Sequence, residues 1–213
     1  MSTVTREVEV KYQISDKTAL LSALEWRGVE LGPAVRQDDQ AYAPVGWAYG
    51  DDKLGVSFAR LRTVAGGEHV FTVKRPVWNA LSCDEYETLV ADREQMHQAV
   101  LAMGFRPTVR IVKLRQTAEI GDLSVCVDEV DSLGTFLELE RRIPFGLSGE
   151  IVQADLAAFV SSLGIEAERT PETYDSLVRA AALLSRRKLG GCLRAGRAGV
   201  EAASRDDEAD DSV

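Results

Sequence analysis

Two carboxylates and an ammonium occupy alternate positions in Glu7-Val8-Glu9-Val10-Lys11. In a strand, side chains alternate between faces, so Glu7, Glu9 and Lys11 share one surface and Val8 and Val10 the other. A half-buried strand with a solvated charged face accounts for one such segment, but the pattern recurs. Arg60-Leu61-Arg62, Glu85-Tyr86-Glu87, Lys113-Leu114-Arg115 and Glu138-Leu139-Glu140 each set two like charges two residues apart. Val70-Phe71-Thr72-Val73-Lys74 ends on an ammonium, and Ser124-Val125-Cys126-Val127-Asp128 on a carboxylate. Like charges so spaced on a strand lie about 7 Å apart and cost energy unless neutralised. All-acidic and all-basic pairs together suit a bound species of both signs. A metal ion complexed to a polyphosphate has that character: carboxylates hold the cation, Arg and Lys the phosphate oxygens.

The elements that must position these residues are mostly strands. Residues 7–14 read as the first, followed by a helix starting near Ser15 or Asp16, with Leu20, Leu21 and Leu24 on one stripe and Gly28 as its stop. Residues 32–56, with Pro33, Pro44, Gly46, Gly50 and Gly55, read as strand fragments joined by a long loop. Strands at 56–62 and 69–74 flank the turn Ala65-Gly66-Gly67-Glu68, and a loop over 76–82 leads to the strand holding Glu85. Asp92 begins a helix with Met96, Val100 and Met103 on one face, and strands follow at 109–117, 123–130 and 135–143. One further helix lies inside 148–163, and another opens with Thr170 as N-cap and Pro171 at its first position. The class is α+β. If the charged faces point inward, the sheet closes around a polar lumen and its apolar outer face packs against helices.

The 213 residues fit one domain over 1–185 with a disordered tail over 186–213, where apolar periodicity is absent. A net charge of −9 argues against a general nucleic-acid binder, so the basic pairs form a local site. Cys83, Cys126 and Cys192 form no C-x-x-C pair, which fits a reducing, cytoplasmic setting. No apolar segment reads as a signal or a membrane span. His69 and His97 read as surface residues, and Trp47, Tyr49, Phe58 and Trp78 as packing aromatics that could also line a tunnel mouth.

The ordered motifs resemble the CYTH family of triphosphate tunnel metalloenzymes. Glu7-Val8-Glu9-Val10-Lys11 looks like its ExExK signature. Arg60-Leu61-Arg62, Thr72-Val73-Lys74-Arg75-Pro76, Glu85-Tyr86-Glu87, Lys113-Leu114-Arg115, Val127-Asp128-Glu129-Val130 and residues 133–140 follow in the expected order. The last of these, with residues 37–42, is most similar to the class IV adenylyl cyclase branch. The resemblance implies a closed tunnel of eight antiparallel strands, with Mg²⁺ or Mn²⁺ held by Glu7, Glu9, Glu138 and Glu140 and with Asp128 as a further lumen carboxylate, either on the metal or on a metal-bound water. It implies phosphate contacts from Lys11, Arg60, Arg62, Lys74, Lys113 and Arg115, with catalysis centred on Glu9 and Lys11. Glu85 and Glu87 would orient the basic residues or help with a second metal. Thr173-Tyr174 stands where the family often has Ser-Tyr.

Two reactions fit such a site: cyclisation of ATP to cyclic AMP and pyrophosphate, as in class IV adenylyl cyclases, or hydrolysis by a triphosphatase. A non-catalytic triphosphate-binding module is the third reading. The expected partner is a small-molecule triphosphate (ATP, tripolyphosphate or thiamine triphosphate), with no nucleic acid and no membrane; a homodimer is compatible with the resemblance.

Overall fold

In a computed structural model describing residues 6–144 and 147–185, nine antiparallel strands build one sheet that closes on itself. They are β1 (Arg6–Ile14), β2 (Val35–Pro44), β3 (Phe58–Val64), β4 (His69–Asn79), β5 (Ser82–Val90), β6 (Phe105–Ile120), β7 (Leu123–Val130), β8 (Gly134–Ile143) and β9 (Ala167–Thr170). The sheet order is β5-β4-β3-β2-β6-β7-β8-β1-β9, and pairing of β5 with β1 closes eight of these strands into a barrel. Closure is brief: β5 meets β1 only at Arg6↔Asp84, Glu7↔Cys83 and Val8↔Ser82. The same edge of β1 then takes up β9, from Lys11↔Thr170 to Ile14↔Ala167.

Helices α1 (Lys17–Trp26), α2 (Arg93–Ala102) and α3 (Gly149–Ser161) lie outside. Asp16 and Asp92 cap α1 and α2 by accepting from Ala19 N and Gln95 N at 2.9 and 3.0 Å. The main core joins outward-facing Val8, Val10, Val125, Leu137 and Leu139 to Leu20 and Leu24 of α1 and to Val152, Leu156 and Val160 of α3. Burying these apolar faces between barrel and helices drives closure, because the alternate positions of the same strands are charged. No helix among the described residues is long and apolar enough to cross a membrane.

The structure corrects several local expectations. β2 is one continuous strand, and Gly46, Gly50 and Gly55 fall in the following loop, residues 45–57. β4 runs through Pro76 to Asn79, with the register shift between Pro76 and Asn79 accommodating the proline. β6 has 16 residues, longer than its apolar pattern suggested. Thr170 ends a strand instead of capping a helix, and helical structure begins at residue 174. Met103 is exposed at the end of α2. His69 and His97 are half-buried, Nδ1 of each hydrogen-bonded to Thr63 Oγ1 (3.1 Å) and Tyr42 Oη (2.7 Å) respectively. Residues 6–178 behave as one compact unit; in a second, from 179, residues 179–185 are helical. The expected tail and Cys192 lie outside the described residues.

Candidate active site

Strand register carries the charged residues to one interior surface. In an antiparallel sheet, laterally paired residues project to the same face. The pairs Glu9↔Glu140, Lys11↔Glu138, Arg115↔Asp128, Asp39↔Arg62, Arg60↔Thr72, Thr72↔Glu87, Lys74↔Glu85 and Glu7↔Cys83 therefore link around the barrel. Every residue expected at the site joins this set through its strand's alternation. Lys11, Lys113, Arg62, Glu138 and Asp128 are all buried. A cavity of about 160 Å³ opens among them, with Glu7, Glu9, Glu138 and Glu140 on its wall.

The six expected cations are each held by carboxylates. Lys11 Nζ sits 3.2 Å from Glu9 and 3.1 Å from Glu138. Lys74 bridges Glu7 (3.1 Å) and Glu85 (2.8 Å), and Arg60 reaches Glu87 (3.3 Å) and Glu85 (3.8 Å). Glu85 and Glu87 thus contact the basic residues they were expected to orient. Arg62 makes a two-pronged bond to Asp39 at 2.7 and 2.8 Å. Arg115 pairs with Asp128 at 2.7 and 2.6 Å, with Glu140 at 3.4 Å, and closely with Glu138. Asp128 also accepts from Lys113 Nζ at 2.7 Å and from Tyr174 Oη at 2.9 Å. Fully buried, it binds the cations that face the cavity.

These surroundings set the protonation states. Burial pushes the Glu140 carboxyl up to about 8; Arg115 pulls against this, but Glu7, Glu138 and Glu9 reinforce it. Burial would also raise Glu7, yet Lys74 and a hydrogen bond with Glu140 bring it down to about 2. Glu138 is held well below the carboxylate range because Lys11 and Arg115 outweigh its burial. For Lys11, Glu9 and Glu138 overcome burial and keep the ammonium protonated above its ordinary range. Lys113 is lowered by burial and by the adjacent Arg115. Burial raises the Cys83 thiol to about 12, so it faces the cavity as a neutral group.

Glu7 is paired with Lys74, but at Glu140 the charge of Arg115 does not offset burial and the neighbouring carboxylates. That deficit, and an all-oxygen donor set, fit a hard divalent cation. Among the described residues no three acidic, His or Cys side chains converge as a ready-made metal cage. Magnesium and manganese sites of one or two carboxylates completed by phosphate oxygens and water need no such cage.

Four residues here escaped sequence reasoning. Asp39 and Thr72 carry no like-charged neighbour at i+2 to mark them as Arg62 and Arg60 are marked. Lys53 comes from the 45–57 loop, and its Nζ reaches Thr173 Oγ1 (2.7 Å), Ser176 Oγ (3.0 Å) and Asp175 (3.5 Å) at the cavity edge. Tyr174 lies beneath Lys11 and Lys113, whose ammoniums stand 4.2 and 4.8 Å from its ring centre. Of the four aromatics, Phe58 lines the cavity, Trp47 packs edge-on against Tyr49 and Phe58, and Trp78 stacks on Arg6.

A closed antiparallel barrel with both signs of charge turned onto an internal cavity is the class that fold and geometry define. The CYTH domain pattern matches residues 5–174, and the chain belongs to that family. Over 139 residues it is 30% identical to a Methanocaldococcus jannaschii protein named "Putative adenylate cyclase MJ0240", covering 64% of this chain and 77% of that one. The structure of the PH1819 protein from Pyrococcus horikoshii superimposes with a TM-score of 0.70 at 20% identity, over 82% of this chain and 98% of the other. A Hippeastrum protein, HpAC1, described as a "putative adenylyl cyclase" with a dominant triphosphatase activity, gives 0.56 at 18% identity, over 83% and 95%. These two structural likenesses concern the fold.

Proposed function

We propose that the protein is a divalent-metal-dependent enzyme acting on a triphosphate inside the barrel, by a class IV adenylyl cyclase-type conversion of ATP to cyclic AMP and pyrophosphate. One observation carries this reading: seven cationic side chains and the carboxylates of Glu7, Glu9, Glu138 and Glu140 share a single cavity with an apolar patch that includes Ala41, Phe58, Pro76 and Leu81. The charged side matches a metal–triphosphate, and the apolar side matches an organic group attached to it. The relative from Methanocaldococcus jannaschii, through its name, supports the cyclase form.

Glu7, Glu9 and Glu140 would hold Mg²⁺ or Mn²⁺, with Glu138 beside them. When bound, that cation supplies Lewis acidity toward the phosphate oxygens. The chain's own residues do the remaining work. Lys11, Lys74, Lys113, Arg60, Arg62 and Arg115 exchange carboxylate partners for phosphate oxygens, offsetting charge that builds on the leaving pyrophosphate. Lys11 stays a charged hydrogen-bond donor, not a base, because Glu9 and Glu138 keep its ammonium protonated. Asp128 holds Lys113 and Arg115 in place from behind. The ribose 3′-hydroxyl oxygen then bonds to the α-phosphorus as the bond from that phosphorus to the pyrophosphate oxygen breaks; the hydroxyl proton passes to a carboxylate of the cavity wall, and pyrophosphate leaves with the bonding electron pair.

The second reading is a triphosphatase, in which water attacks the terminal phosphorus. It draws on the apolar patch, where Ala41, Phe58, Pro76 and Leu81 offer no side-chain hydrogen bonds to discriminate among organic groups. Product analysis separates the two. Protein with Mg²⁺ or Mn²⁺ is given ATP, tripolyphosphate and thiamine triphosphate, and products are resolved by ³¹P NMR and chromatography. Cyclic AMP with pyrophosphate is the expected result. Orthophosphate without cyclic nucleotide moves the assignment to triphosphatase, and binding without turnover moves it to a capture module.

A further inference from the structure

The seam of the barrel holds an unusual exchange of hydrogen bonds around Glu9. β5 leaves β1 after Val8 and β9 joins it at Lys11, so the backbone of Glu9, whose N–H and C=O point to that edge, faces a gap between them. Backbone groups at such a gap must find partners elsewhere. Glu9 N donates to Leu81 O at 2.9 Å. Glu9 O accepts from Gln153 Nε2, also at 2.9 Å. Gln153 is buried, on the helix α3 outside the barrel. Its amide pairs with Asn79 in both directions: Asn79 Nδ2 donates to Gln153 Oε1 at 3.0 Å, and Gln153 Nε2 reaches Asn79 Oδ1 at 3.3 Å. Asn79 Oδ1 in turn accepts from Leu81 N at 2.9 Å. The ring Glu9–Leu81–Asn79–Gln153–Glu9 is closed.

We propose that Gln153 and Asn79 are positioning residues that fix the backbone of Glu9, and so the place of its carboxylate in the lumen, for divalent-cation binding. This rests on the metal role proposed for Glu9. The rationale is geometric. Elsewhere β1 is held on both sides by strands, whose ladders fix each side chain. At Glu9 the outer ladder is missing, and the amide of Gln153 replaces it. A purely packing role for position 153 would call for an apolar side chain, since its α3 neighbours Val152 and Leu156 belong to the same apolar core as Val8 and Val10. A buried amide with all of these contacts satisfied specifies one arrangement where a methyl group would not. Gln153 touches neither substrate nor metal, because it acts from the outer side of the strand.

The test uses full-length protein without substrate and reads Mn²⁺ binding by titration calorimetry and by electron paramagnetic resonance of the free ion. Gln153→Leu keeps the bulk and removes the amide; Gln153→Glu keeps the shape and cannot donate to Glu9 O when ionised. Both are expected to weaken Mn²⁺ binding by tenfold or more and to speed hydrogen exchange at the Glu9 amide. A packing control on the same helix, Leu156→Val, should destabilise the fold but leave Mn²⁺ affinity within twofold. Wild-type Mn²⁺ affinity and unchanged Glu9 exchange in both Gln153 variants would overturn the positioning role and leave the proposed function standing. Absence of Mn²⁺ binding in the parent protein, both alone and in a repeat with tripolyphosphate bound, would overturn the metal role itself, whatever the exchange data show.

Discussion

Tyr174 donates its hydroxyl to Asp128 at 2.9 Å while the face of its ring carries the ammoniums of Lys11 and Lys113. One residue, just after β9, thus ties a buried carboxylate to two of the cations proposed to grip phosphate. Tyr174→Phe keeps the ring and removes one hydrogen bond to a charged group, so it should destabilise the fold by about 1.5–3 kcal/mol. Urea denaturation measures this. An unchanged midpoint and slope would mean that Asp128 is fully satisfied by Lys113 and Arg115.

Glu140 offers a sharper case because its effect on stability changes with pH. In the folded chain it releases its proton at about 8, against an ordinary value of 4.5. Between these values the native state binds more protons than the unfolded chain, so this group's contribution to stability falls as pH rises. Glu140→Gln removes that penalty. Without metal, the variant should unfold at a higher temperature than the parent at about pH 8, by a few kcal/mol at most, with the gap closing toward pH 4.5. The same variant should lose turnover. A variant less stable than the parent at high pH would refute the account of Glu140 as an under-compensated carboxylate.

Asp39 has the opposite sign. Burial would raise its carboxyl, but the two bonds from Arg62 bring it down to about 2 from 3.8. Its stabilising contribution is fully present above pH 3.8 and is lost as pH falls toward about 2. Asp39→Asn strands a buried guanidinium and should cost about 3–5 kcal/mol at neutral pH. Denaturant titrations at a series of pH values should show the difference from the parent shrinking on the acid side. A constant difference across that range would point to packing instead of charge.

Lys53 links the 45–57 loop to Thr173 and Ser176 at the cavity edge. Lys53→Met retains the aliphatic stem and removes the charge. KM for the triphosphate should rise roughly tenfold, equal to about 1.4 kcal/mol, with kcat little changed. A fall in kcat at constant KM would place Lys53 in the chemical step.

Much of this site was legible because like charges at i and i+2 have few structural explanations. Glu138-Leu139-Glu140 and Lys113-Leu114-Arg115 announce a charged interior; Leu139 joins the core beneath the outer helices, whereas Leu114 is exposed. What stayed hidden has a common cause. Asp39 acts through a cross-strand pair with Arg62, and Lys53 and Tyr174 through contacts between segments distant in the chain; local periodicity sets none of these. β9 was obscured because Thr170-Pro171 reads equally well as a helix start, and only pairing with Lys11 decides the matter. Pro76 suggested a loop until the register shift in β4 made room for it.

The position of β1 also bears on how the chain reaches its native state. This strand precedes all others, yet its partners are Ser82–Asp84, Thr135–Ile143 and Ala167–Thr170. Each pairing closes a long loop before any of its contacts can form, a topology that slows folding relative to hairpin-by-hairpin assembly. During synthesis the segment bearing Glu7 and Glu9 can cover its apolar side with α1 early, but its full set of sheet partners exists only once residues to Thr170 have emerged. The strand proposed to carry the metal is therefore fixed on both edges only when the chain has been made to β9.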